Sequence, residues 1–399
     1  MSQPLFVFGV ARSGTNLVAG MLNAHSRIAL ALDPLMPFFK ALRDDWVEAT
    51  CDSALVASYP ADCALQDYYF GPLGPRLLDL VMAGQLTFAT DRAELVSTIA
   101  ARAAIESLKF SERLKSVAGA TYKEILDGVL SRVVRDDGRP ILWRGTKEVW
   151  TSEFIPALAK AYPDARFILI RRDPRGILSS LLQLMQHDSS QAAHTISYMR
   201  HWRKEVAVAD HLLEDRSLHE RLLLVHYEEL ASKPQEGVEH LAAFLGVEPE
   251  PGMLTPVMGE GGEGNANSSY GHLSSISSRS VERWRDVLEP GMQRTIEYVC
   301  GPEMWASGYL TPDTQPHARP KDLLETFVAA ERKPGSWRSD TGSPSEALVH
   351  EAARWALLER PEAQTKDAAV LRQHFLFTPL FQRLRKIAQA LKERQSINP

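Results

Sequence analysis

The stretch Leu5-Phe6-Val7-Phe8-Gly9-Val10-Ala11-Arg12-Ser13-Gly14-Thr15-Asn16 limits the fold more than any other part of the chain. Four bulky apolar residues in a row read as a strand buried on both faces, the kind found inside a parallel sheet. Two glycines then bracket a turn, and Leu17 to Leu22 follow as an apolar helical run. A strand passing through such a turn into a helix exposes consecutive backbone N–H groups at the positive helix end, a cradle for phosphate or sulfate. Arg12 and the hydroxyls of Ser13 and Thr15 add donors. A glycine turn that holds no ligand is the structural alternative.

Against the phosphate-loop pattern G-x-x-x-x-G-K-[ST], the chain keeps Gly9 and Gly14. It has Thr15 at the lysine position and Asn16 where the magnesium-binding hydroxyl belongs. Two parts of an ATP-dependent kinase or ATPase are therefore missing. The whole chain gives no help with anions: 45 Lys+Arg against 50 Asp+Glu leave a net charge of −5. That balance disfavours nucleic acid as a partner, and any anion site must be a local cluster. Cys51, Cys63 and Cys300 are odd in number and lack metal spacing, and the chain opens MSQPLFVFG without a basic leader. Its apolar stretches fall far short of the ~20 residues that cross a bilayer. A cytoplasmic setting is the expectation.

Four short runs predict buried parallel strands: Leu5 to Phe8, Ile141 to Trp143, Arg166 to Ile170 and Leu222 to Val225. Helical stretches such as FIPALAKAYPDA and GILSSLLQLMQ lie between them, so the fold class is α/β, a P-loop-like parallel sheet flanked by helices. Residues 34–140 have mostly helical periodicity, clearest in RAELVSTIAARAAIESLKF and TYKEILDGVLSRVV, and predict a helical insertion capping the sheet. Its apolar residues Leu35, Met36, Phe38, Phe39, Tyr68, Tyr69 and Phe70 suit either an acceptor pocket or plain core. Met258 to Ser280 is a long loop rich in Gly, Ser and Asn. The division is thus a domain over 1–309 with a linker and helical C-terminal extension over 310–399. In that extension Leu380, Leu384, Ile387 and Leu391 form an apolar stripe opposite Arg383, Arg385, Lys386, Lys392 and Arg394. Such a helix either docks on its own domain or lies on a membrane surface.

Arg171, Arg172 and Arg175 stand where the strand from Arg166 ends, with Ser179 and Ser180 in the next helix. They build a second anion element at the sheet edge where α/β folds bind ligands. Taken together, these elements resemble the sulfotransferases that use 3′-phosphoadenosine-5′-phosphosulfate (PAPS), especially the bacterial and tyrosylprotein branches. Arg12-Ser13-Gly14-Thr15, with Asn16, looks like the 5′-phosphosulfate loop of that family. Arg172 and Ser180 look like its 3′-phosphate element, and Trp143 to Lys147 like its lysine segment, although Glu148-Val149 replaces the usual Thr-Pro. Tyr227 in Val225-His226-Tyr227-Glu228-Glu229-Leu230 matches the tyrosine near the adenosine, and the serines up to Ser280 match the loop that closes over the nucleotide.

The resemblance implies in-line transfer of a sulfuryl group from PAPS to a hydroxyl or amine, releasing 3′,5′-ADP, with no metal required. Lys147 and Arg12 would stabilise the leaving phosphate oxygen. In the tyrosylprotein branch a carboxylate stands 21 residues after the loop arginine, which here is Asp33. Asp33 is thus the implied catalytic base and His25 the rival. The expected acceptor is a small molecule, lipid or carbohydrate hydroxyl. Two other readings stay open: a P-loop phosphotransferase, and a non-catalytic nucleotide-binding protein.

Overall fold

The computed structural model describes residues 2–58, 68–69, 73–90, 93–135, 137–187, 195–256, 276–311, 323, 344–360 and 367–397. The chain divides into two compact units. The first holds 1–62, 79–172 and 216–281, and the second 63–78, 173–215 and 282–399.

The first unit is built on five parallel strands: β1 (Gln3–Gly9), β2 (Ile28–Leu32), β3 (Trp143–Val149), β4 (Arg166–Arg171) and β5 (Leu222–His226). They are ordered β2-β3-β1-β4-β5, so the predicted parallel sheet is present with β1 at its centre. The period of two explains β1. Leu5 and Val7 join the core made by helix α1 (Thr15–Asn23) and the helix Pro234–Leu245, while the Phe6 ring packs against Phe8, Phe167 and Tyr162 on the other face.

One strand differs from expectation. β3 begins at Trp143, where the predicted strand ends, and runs through Arg144-Gly145-Thr146-Lys147-Glu148. Lys147 and Glu148 are carried inside because they find buried partners in Asp33 and Leu35 N–H, and Gly145 is required because a Cβ there would collide with the Leu5 carbonyl of β1. This extension puts Lys147 on the sheet itself. The insertion also differs in detail: the run from Arg92 to Phe110 is two helices, Leu95–Ala103 and Leu108–Leu114, because Ser107 caps the second by accepting from Phe110 N–H at 3.1 Å.

The aromatic residues of the insertion are core. Phe38 meets Phe39 and Tyr122 edge-on, Phe39 packs on Phe154, and Leu35 is buried with them, while Tyr68 and Tyr69 are buried within the second unit. Phe70 lies outside the described residues.

The second unit gathers the helices Thr195–Leu213, Pro290–Ala306, Pro344–Glu359, Ala368–Phe375 and Thr378–Ile397. Its interior is ionic. Glu351 meets Arg200 at 3.1 Å and also Arg203, Glu303 meets Arg354, and all five side chains are fully buried. Burial alone would raise the Glu351 pKa, but Arg203 and Arg200 hold it well below the usual carboxylate range. The last helix docks: Leu380, Leu384 and Leu391 are buried, Arg383 pairs with Asp210, and Arg385 donates to Arg360 O at 3.0 Å. The stripe that would have entered a membrane surface is thus spent on the protein. Among the described residues no helix is long and apolar enough to cross a membrane.

Candidate active site

The turn after β1 closes tightly. A Cβ on Gly9 would sit 2.7 Å from Ser13 Oγ and 2.9 Å from the Ile170 carbonyl of β4, so only glycine lets the loop pass there. Ser13 N–H donates to Val10 O at 3.0 Å, and Ser13 Oγ is buried with no hydrogen-bond partner among the described residues. Gly14, at φ 102°, is the N-cap of α1, and no side chain caps that helix. A hydroxyl without a partner beside an uncapped nine-residue helix is what an oxyanion would complete. Thr15 is buried behind the loop, and Asn16 half-buried in the first turn of α1.

Gly14 also makes room for an aromatic ring, since a Cβ there would meet the ring of Tyr227. The Arg172 guanidinium lies over the same ring at 4.0 Å from its centroid and donates to Arg12 O at 2.8 Å and Ser280 O at 3.1 Å. Tyr227 Oη in turn bonds Ser280 Oγ. Four of the expected elements are thereby joined: the loop, the end of β4, the tyrosine after β5 and the serine loop. Residues 257–275 of that loop lie outside the described residues. Ser180 is buried on the helix Pro174–His187, which belongs to the second unit. Within that unit Arg175 is committed to Asp173 at 2.7 Å, Glu297 at 3.0 Å and Tyr309 O at 2.8 Å. It is therefore a structural arginine.

On the other side of the loop, Asp33 follows β2 and Lys147 rises from β3. Their backbones meet where Asp33 N–H donates to Lys147 O at 2.7 Å, and Asp33 Oδ2 forms a buried ion pair with the Lys147 ammonium. Asp33 Oδ1 is buried and has no hydrogen-bond partner among the described residues. Arg12, Asp33 and Trp150 follow or terminate β1, β2 and β3, and all have positive φ, at 70°, 49° and 70°. Non-glycine residues held there cost ~1–3 kcal/mol each, strain that clusters at working sites. His25 takes no part. It precedes β2, so it sits at the opposite sheet edge, about 16 Å from Asp33 for five strand residues. There Nδ1 accepts from Arg27 N–H at 3.0 Å and Nε2 lies 3.1 Å from Glu248 O.

A sequence model of the sulfotransferase family matches residues 4–251, more than half of the chain and every strand of this sheet. The chain belongs to the sulfotransferase family. A Caenorhabditis briggsae protein bearing a protein-tyrosine sulfotransferase name is 24% identical over 49% of this chain and 70% of its own length. Protein-tyrosine sulfotransferase 1 of Danio rerio is 23% identical over 60% of this chain and 67% of its own. Among solved structures, a sulfotransferase domain from the curacin biosynthetic pathway covers 74% of this chain and 96% of its own, at 16% identity and a TM-score of 0.43.

Two acidic residues of this sulfotransferase escaped the reading of the sequence. Glu148, next to Lys147 on β3, is buried and accepts from Leu35 N–H at 3.1 Å. Burial, and then the Asp33 charge, push its pKa well above the ordinary range against the pull of Lys147. Glu106, in the break between the two insertion helices, is raised by burial and by Asp33 in the same way. Only Asp33 among these three carboxyl groups pairs with the Lys147 ammonium; the other two feel both charges. Among the described residues no group of His, Cys, Asp and Glu is arranged to hold a metal ion.

Glu148 carries a stability prediction. A carboxyl whose folded pKa is raised contributes stability fully present below about pH 4, the unfolded range, and lost as pH rises through the folded value. Glu148→Gln keeps an acceptor for Leu35 N–H and removes the charge, so thermal melts should show its stability relative to the native protein improving from pH 5 to pH 8. A variant that weakens relative to the native protein over that range would mean the ionised carboxylate is needed.

Proposed function

We propose that the chain is a PAPS-dependent sulfotransferase acting on a hydroxyl acceptor, with Asp33 as base and Lys147 as the cation that meets the developing charge. The observation carrying this reading is the Asp33–Lys147 pair set beside a glycine loop that ends in an uncapped helix. Ser13, Gly14, Thr15 and Asn16, with the N–H groups that begin α1, would hold the 5′-phosphosulfate. Arg172 and Tyr227 would serve the 3′-phosphate and adenosine. When bound, PAPS supplies the sulfuryl group: the bond from sulfur to the 5′-phosphate oxygen breaks, one to the acceptor oxygen forms, and 3′,5′-ADP leaves.

The chain's own part is electrostatic. Lys147 engages Asp33 through Oδ2, and Oδ1 is the atom left to take the acceptor's proton. The ammonium carries three donors, of which the Asp33 bond uses one. With Arg12 it can neutralise the departing oxygen, which suits a sulfuryl group because it bears less charge than a phosphoryl group. The names of the relatives favour a tyrosyl hydroxyl as acceptor over the small molecule expected from the sequence. Incubation with PAPS or with ATP and Mg²⁺ tests the reading: 3′,5′-ADP release coupled to a gain of one sulfuryl group on an acceptor supports it, and ADP formation overturns it.

Arg172 supplies a sharper test. Its guanidinium both props the loop and offers charge for the 3′-phosphate, so Arg172→Ala should weaken every nucleotide somewhat. The excess loss for 3′,5′-ADP over adenosine 5′-phosphosulfate, by calorimetry, should be about 10-fold to 150-fold, the worth of a charge-assisted contact. Equal losses would leave Arg172 a purely structural residue.

A further inference from the structure

Asp33 holds a backbone conformation that its neighbour in sequence opposes. It precedes Pro34, and a residue before proline is pushed toward extended backbone. Asp33 instead has φ 49°, in the left-handed region, where a non-glycine residue stays only if its surroundings over-determine it. The chain must therefore be tied on both sides of Asp33, and Pro34 has no N–H with which to do it.

Both ties come from β3. Upstream, Asp33 N–H donates to Lys147 O at 2.7 Å. Downstream, the first N–H after Asp33 is that of Leu35, and it is shared between the two carboxyl oxygens of Glu148 at 3.1 Å and 3.2 Å. Glu148 and Leu35 are 1% and 0% exposed, so bulk water does not reach this bond, and an unpaired N–H there would be costly. Leu35 is the N-cap of the helix Met36–Thr50, so the Glu148 carboxyl fastens the start of that helix as well as the turn before it. Burial and the Asp33 charge favour the neutral form of Glu148. A neutral carboxyl still offers Leu35 its carbonyl oxygen and sets no second negative charge beside Asp33. Glu148 is also where the lysine segment departs from the pattern it resembles, so no role for it comes with the resemblance.

We propose that Glu148 is a positioning residue: by holding Leu35 N–H it fixes the Asp33-Pro34-Leu35 turn, and with it the aim of the Asp33 carboxylate at the acceptor. The inference rests on the sulfuryl-transfer reading of this site. Both Glu148 oxygens engage Leu35, so its effect on the reaction passes through Asp33.

Glu148→Met nearly keeps the side-chain volume and removes the acceptor for Leu35 N–H. With PAPS and a tyrosine peptide, its kcat should fall about 10-fold to 100-fold, the effect of a misaimed group. Affinity for 3′,5′-ADP, by calorimetry, should stay at the native value. Glu148→Gln keeps an oxygen for the same N–H and should recover most of the rate. Glu148→Asp makes a smaller demand on the fold but draws the carboxyl back by one methylene, and should lose rate in the same direction as Glu148→Met. In an Asp33→Asn background, Glu148→Met should alter the residual rate by no more than about twofold, because a residue that acts through Asp33 has nothing left to aim.

Native kcat in both Glu148→Met and Glu148→Asp overturns the positioning role, as do rate losses that multiply with that of Asp33→Asn. A loss of 3′,5′-ADP affinity in proportion to rate overturns it too, and makes Glu148 a residue of the general fold. The sulfuryl-transfer reading fails separately, when the native protein releases no 3′,5′-ADP from PAPS, and takes the positioning role with it.

Discussion

Asp33→Asn should lower turnover by a factor on the order of 10²–10⁴ while 3′,5′-ADP binds as before. The substitution keeps the size of the side chain and an oxygen for Lys147, and removes only the basicity of the atom facing the acceptor. His25→Asn should keep near-native turnover, since His25 lies at the far edge of the sheet against Glu248 O. A kinetic run in which Asp33→Asn turns over normally removes Asp33 from the mechanism and moves the base to Glu106 or Glu148.

The parts of the site legible in the sequence are those whose structural reason is local. Gly9, Gly14 and the apolar run before them determine strand, turn and helix within one segment, and the structure puts them there. Asp33 is reached through the family's 21-residue spacing alone; the structure places it directly after the short apolar β2, at the sheet's carboxyl edge. Lys147 and Glu148 were hard to place because a polar stretch does not read as a buried strand. Their partners, Asp33 and Leu35, are over a hundred positions away in the chain. Glu106 was hidden by a periodicity that runs smoothly through a helix break. Ser107, a capping residue three positions before Phe110, was the signal for that break. The buried Arg200, Arg203, Glu351 and Arg354 could not be foreseen at all, because charged residues on helices ordinarily face water and only their pairing in space explains them.

Lys147→Ala should be the most informative single change, because it acts on rate and on stability by separate routes. If the ammonium meets charge that appears mainly in the transition state, kcat should fall by about 10²–10³, with little change in affinity for 3′,5′-ADP. The same substitution leaves Asp33 buried without its cation, and breaking a buried pair from one side costs ~3–5 kcal/mol. The melting temperature should therefore drop well below that of Asp33→Asn, which leaves the lysine an amide oxygen. The double variant Lys147→Ala with Asp33→Asn should recover part of that loss, since no unpaired charge is left inside. It should recover none of the rate. Additive stability losses in this cycle would mean that the pair is not coupled in solution. A Lys147→Ala enzyme that loses nucleotide affinity in proportion to activity would make the lysine a binding residue only.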